Sequence, residues 1–92
     1  MEHLSIKEIH EHLEEVKGWE MTGHEITKEF HFRNFKEAME FANRTAEEAE
    51  RSNHHPDILI RYNKVALTLT THSAGGLTYK DFKLAKVIEQ MV

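Results

Sequence analysis

The sequence predicts an α+β domain of two layers, a four-stranded antiparallel sheet with helices on one face, in the order α-β-β-α-β-β-α. Three observations lead there. Three segments open on a helix-capping signal and carry apolar residues at helical spacing. Two pairs of short segments between them read as hairpins. No low-complexity stretch, repeat or long linker divides the 92 residues, so residues 1–92 form one domain.

The elements follow in order. Ser5-Ile6-Lys7-Glu8 fits a capping box, with Leu4 and Ile9 placed as its hydrophobic staple. Ile6, Ile9, Leu13 and Val16 then mark a helical stripe that Gly18 stops. Trp19 to Phe32 reads as a hairpin: Trp19 and Met21 alternate with polar neighbours, Gly23-His24 supplies the turn, and Ile26, Phe30 and Phe32 share a period of two. Asn34-Phe35-Lys36-Glu37 opens a longer helix with an expected buried stripe of Phe35, Met39, Ala42, Ala46 and Ala49. Its alanines suit close packing against the sheet or a partner subunit, and it must end before Pro56, because the residue preceding proline avoids the α region. Ile58 to Tyr62 and Val65 to Thr70 are apolar and β-branched, with Asn63-Lys64 as their turn. After the loop Ser73-Ala74-Gly75-Gly76, Thr78-Tyr79-Lys80-Asp81 is a third capping box. Leu77 and Phe82 form its staple, and Phe82, Ala85, Ile88 and Val92 continue one face.

Composition narrows the chemistry. Thirty-nine per cent apolar and 30% charged residues suit a soluble globule. The absence of cysteine removes a disulfide framework, a thiol nucleophile and a cysteine zinc knuckle. A net charge of −4 speaks against nucleic acid as a partner, since phosphate binding needs clustered Lys and Arg. No apolar run approaches the ~20 residues of a membrane span, and the start lacks a basic segment followed by an apolar core. A cytoplasmic location without membrane contact is therefore expected. What stands out is eight histidines.

Counting outward from the Asn63-Lys64 turn pairs Tyr62 with Val65, Ile60 with Leu67 and Ile58 with Leu69 as the core face. The same count sets Asp57 against Thr70 and His55 against His72, on the face away from the helices, with side chains ~5 Å apart. His54 lies at the junction of the second helix and this strand. Glu50, four residues earlier on the last helical turn, is within reach of it. Imidazoles, with an ordinary pKa near ~6.5, suit acid/base work at neutral pH. The commoner explanation of His54-His55 alone is exposure at a helix end. His3, His10 and His12 fall on or near the polar side of the first helix, His24 suits a turn, and His31 points out of the Phe30/Phe32 stripe. Asp81 on spacing alone is a cap residue. A zinc site is disfavoured, because adjacent residues in extended chain point to opposite faces and there is no His-Glu-x-x-His. The Lys80, Lys83 and Lys86 stripe reads as a solvated helix face, and Gly75-Gly76 as a flexible turn.

Several spaced motifs carry a resemblance. They are Glu50-x-x-x-His54-His55-Pro56-Asp57, Tyr62-Asn63-Lys64-Val65 and Thr71-His72-x-Ala74-Gly75-Gly76-Leu77-Thr78-x-x-Asp81-Phe82, with Gly18-Trp19 and Phe35-x-x-Ala38-Met39-x-Phe41 upstream. Together they closely resemble the pterin-4a-carbinolamine dehydratases over almost the whole chain; Ser73 stands where members often carry Asp. The resemblance implies dehydration of a 4a-hydroxytetrahydropterin to the quinonoid dihydropterin, as part of tetrahydropterin recycling, with no metal and no cofactor. It implies His54, His55 and His72 as catalytic residues. Glu50, Asp81, Pro56 and Trp19 would support the site or bind substrate, although Trp19 equally suits the core. It further implies a homodimer or homotetramer. The alternative it leaves open is a non-catalytic interaction module of the same fold, acting as a transcription coactivator or assembly factor.

Overall fold

A computed structural model describes residues 2–92. It contains α1 (Ile6–Leu13), β1 (Glu20–Thr22), β2 (Glu25–His31), α2 (Phe35–Ser52), β3 (Asp57–Arg61), β4 (Lys64–Leu69), a single 3₁₀ turn (His72–Ala74) and α3 (Tyr79–Glu89). The expected order holds, and the strands form one antiparallel sheet in the order β1-β2-β4-β3.

The caps form as their chemistry dictates. Ser5 Oγ accepts the Glu8 amide at 3.2 Å while Glu8 returns a bond to the Ser5 amide at 2.9 Å. Leu4 and Ile9 are both buried. The helix is shorter than its apolar spacing suggests, closing at Leu13. Val16 enters the core from the turns that follow, whereas Ile6 stays 59% exposed. Gly18, at φ +89°, then swings the chain into β1. That left-handed backbone angle, which residues with a Cβ rarely adopt, is what favours glycine here.

The stripe expected on α2 is displaced. Ala38, Phe41, Ala42, Thr45 and Ala49 are buried; Phe35 is 50% exposed, Ala46 is exposed and Met39 is half-buried. The inward face is turned about 60° from the one expected, because the large Phe41 ring takes the centre. It packs 4.8 Å from Phe30 and 5.0 Å from Phe32 between ring centroids. Thr45, buried on this face, is satisfied by donating to Phe41 O at 2.9 Å.

β4 lies inside the sheet and buries Val65, Leu67 and Leu69 completely. Burying each such side chain contributes roughly 1.5–3 kcal/mol. β3 is an edge strand. Ile60 packs against the core, but Ile58, Leu59 and Tyr62 are exposed, which corrects the expectation that Ile58 and Tyr62 are core. The register also differs from the count. Ile60 pairs with Val65, Ile58 with Leu67 and Asp57 with Thr68, so the turn is Tyr62-Asn63 rather than Asn63-Lys64. The cause lies in the neighbouring strand. Asn63 accepts the Phe32 amide at 2.8 Å through its backbone and donates to Phe32 O at 3.0 Å through its side chain. Lys64 is thereby free to pair with both His31 and Arg61. Tyr62 takes the left-handed position at φ +47°.

On α3, Phe82, Leu84, Ala85 and Ile88 are buried in the core, while Val92 is exposed instead of continuing that face. The helix is fastened at its C-terminal end by Glu89, which accepts the Trp19 indole N–H at 3.0 Å and the Lys28 ammonium at 2.7 Å. Lys28 also donates to Lys17 O at 3.0 Å. Among the described residues no helix is long and apolar enough to cross a membrane.

Candidate active site

The site begins where α2 stops. Asn53, left-handed at φ +52°, ends the helix, and the His54 amide closes the last turn on Ala49 O at 3.1 Å. His54 and His55 then enter extended chain, so their side chains diverge. His54 turns to the helix side and donates Nε2–H to Asp81 Oδ1 at 2.6 Å. Its side chain is 11% exposed and that of Asp81 is fully buried. His55 turns outward and bonds Glu50, with both side chains more than half exposed. Glu50 was expected at His54; the left-handed residue between them passes its carboxylate to His55. Pro56 separates this pair from β3, its ring limiting the backbone where the chain enters the sheet.

Asp81 is where helix capping and the site become one structure. Its Oδ2 accepts the Thr78 amide at 2.9 Å, the bond the capping box requires. The same oxygen accepts the Thr71 hydroxyl at 2.8 Å, and Oδ1 takes His54. With Asp81 as a carboxylate, the His54 hydrogen sits on Nε2 and the lone pair on Nδ1 faces away from the aspartate. An imidazole oriented through one nitrogen by a buried carboxylate can exchange a proton through the other.

His72 does not oppose His55. In the observed register the position across from His55 is Thr70, and the ladder has already ended at Leu69. Thr71 instead forms an antiparallel bridge with Gly76, at 3.1 and 3.4 Å, which closes a loop whose 3₁₀ turn displays His72 on the surface. Gly75, at φ +71°, makes that tight return possible. His72 lines a shallow concavity of about 390 Å³ together with His24 and Thr70. His54 forms part of a groove of about 520 Å³ between α2 and α3, walled by Arg51, Lys80 and Lys83 over Leu84 and Val87. Among the described residues no three His, Cys, Asp or Glu side chains converge as a metal would require.

Trp19 is not gathered to the histidines. Its ring is buried beside Phe30, and its N–H is bound to Glu89, at the opposite end of α3 from Asp81. Among the other histidines, His31 bonds Glu29 at 2.8 Å on the surface, and His24 sits in the β1–β2 turn. His12 departs from the solvated position expected of it: it is half-buried, edge-on to Tyr79 and stacked on Phe82. Thr71 and Thr78 were missed as site residues. A signal for Thr71 exists, because it shares parity with Val65, Leu67 and Leu69, and a hydroxyl on a core face needs a partner.

Fold and site thus define a small α+β domain with an imidazole–carboxylate arrangement suited to proton transfer. A sequence profile described as "Pterin 4 alpha carbinolamine dehydratase" matches residues 2–91. A protein of Sulfurisphaera tokodaii named "Putative pterin-4-alpha-carbinolamine dehydratase" is 49% identical over 92 residues, covering 100% of this chain and 99% of its own. One of the same name from Thermomicrobium roseum is 52% identical over 79 residues, covering 86% and 85%. The crystal structure of a transcriptional coactivator/pterin dehydratase from Brucella melitensis superposes with a TM-score of 0.93 at 35% identity, covering 97% of each chain. A pterin dehydratase-like RuBisCO assembly factor of the alpha-carboxysome shares the fold, with a TM-score of 0.65 at 19% identity over 79% of this chain and 84% of its own. The chain belongs to the pterin 4 alpha carbinolamine dehydratase family.

Proposed function

We propose that this protein is a hydro-lyase that dehydrates 4a-hydroxytetrahydropterin to quinonoid dihydropterin in tetrahydropterin recycling, by histidine acid/base catalysis. The observation that carries the proposal is His54, oriented through Nε2 by the buried Asp81. In the reaction the C4a–O bond breaks as the hydroxyl takes a proton and leaves as water. N5 loses its proton, and the N5 electron pair forms the C4a=N5 bond. Protons move and no electrons are exchanged with a second reactant, so imidazoles suffice. His54 accepts the N5 proton at Nδ1, and His72, exposed on its turn, protonates the leaving oxygen. His55, steadied by Glu50, contacts substrate from the open side.

Stopped-flow absorbance of freshly generated 4a-carbinolamine tests this. The protein should accelerate its loss at pH 7–8, and His54→Ala and His72→Ala should each lower kcat about 10²–10⁴-fold, the scale of one acid/base group. No acceleration by the wild type overturns the activity, and unchanged rates in both variants overturn the site. A second reading, an interaction module of the same fold, draws support from the names of the Brucella melitensis and carboxysome proteins. It predicts a wild type without acceleration.

We infer in addition that the chain assembles as a homodimer or homotetramer. The exposed Ile58, Leu59 and Tyr62 on and beside the edge strand β3 support this, since such edges are open to further pairing.

A further inference from the structure

We propose that Thr71 is a positioning residue that ties the turn carrying His72 to the same carboxylate that orients His54; this rests on the dehydratase reading above. His54 follows α2 and His72 follows β4, and neither segment's own backbone bonds reach the other. Their connection runs through buried side chains. His54 Nε2 bonds Asp81 Oδ1 at 2.6 Å, and Asp81 Oδ2 accepts the Thr71 hydroxyl at 2.8 Å. Thr71 is the residue directly before His72 and is 4% exposed.

Hydrogen counting fixes the direction of this relay. A carboxylate only accepts, so Thr71 spends its one hydroxyl hydrogen on Asp81. Thr71 Oγ1 must then accept from Thr78 Oγ1, which lies 2.8 Å away, and Thr78 Oγ1 in turn accepts the Lys80 amide at 3.2 Å. Every hydroxyl hydrogen therefore points towards Asp81. No buried side-chain nitrogen or oxygen among the described residues is left without a partner. Thr71 is also held through its backbone by the bridge to Gly76, so its side chain and backbone together set where the His72 turn leaves the sheet. The bridge alone closes the loop. The hydroxyl is what refers it to Asp81, and so to His54.

The test compares Thr71→Val, which keeps shape and removes the donor, with Thr71→Ser, which keeps the donor. In Thr71→Val we expect kcat to fall about tenfold, the scale of one hydrogen bond lost in the transition state, with KM within about twofold. Thr71→Ser should restore kcat. Placed in the His72→Ala background, Thr71→Val should cost nothing further, because it acts through His72. A purely structural role would cost the same in both backgrounds. Amide hydrogen exchange gives a readout independent of turnover: Ala74, Gly75 and Gly76 should exchange faster in Thr71→Val, with α3 protection kept. If Thr71→Val does not fold, Thr71→Ala carries the same comparisons. Wild-type exchange in the turn, an undiminished kcat, or an equal cost in the His72→Ala background overturns the proposal. A wild type without dehydratase activity but with the expected change in exchange overturns the reaction and leaves the anchor standing.

Discussion

Two carboxylates contact the adjacent pair His54 and His55, and their surroundings assign them unequal weights. Glu50 meets His55 with its side chain 77% exposed, where a pair is worth at most about 1 kcal/mol. Asp81 meets His54 with its side chain fully buried and with two further donors on its other oxygen. Removing one charged oxygen there strands buried donors, each costing about 1–3 kcal/mol. Asp81→Asn should therefore lower the unfolding free energy by about 1–3 kcal/mol in urea titration and lower kcat strongly. Glu50→Gln should leave stability within about 0.5 kcal/mol. Equal losses in the two variants would remove the distinction. Asp81 also shows why one residue can satisfy two readings of a sequence. As the closing residue of the capping box Thr78-Tyr79-Lys80-Asp81 it was legible as a cap. The histidine it orients comes from a segment 27 positions away, which local spacing does not report.

The helix starts hold acid-sensitive stability at the scale of elements. Glu8 is held below the ordinary carboxylate range, first by the Ser5 amide and then by the Ser5 hydroxyl, and Glu37 by its side-chain bond to Arg33. A depressed folded-state value favours the native protein above the ordinary carboxylate pKa, and that contribution is lost as pH falls through the depressed value. Melting temperature should fall between pH 6 and pH 3, and Glu8→Gln with Glu37→Gln should flatten the fall; an unaltered slope in the double variant contradicts this. The three helix starts were readable because a cap is a contact between residues two to four apart. The α2 stripe and the second hairpin turn were not. Seven apolar positions on α2 allow more than one inward face, and only the packing of Phe41 against Phe30 and Phe32 selects between them. Likewise Asn63 suited the turn Asn63-Lys64 on local grounds, and its bonds to Phe32 on another strand moved the turn by one residue.

At the scale of the whole molecule, the sheet order places β4 inside and β3 at the edge, which exposes apolar residues that a central strand would have buried. A homo-oligomer should therefore show, by light scattering after size exclusion, a mass two or four times that of one chain; a monomer at micromolar concentration overturns that inference. Element order, the caps, the absence of thiol chemistry and the histidine and aspartate positions from which the resemblance follows were all legible in the chain, because these depend on neighbouring residues or on residue identity. Tertiary structure alone decided the hairpin register, the departure of His72 from the sheet, the burial of Trp19 against Glu89 and the meeting of His54 with Asp81 and Thr71. Each of these depends on contacts between distant segments competing for the same backbone groups or the same space.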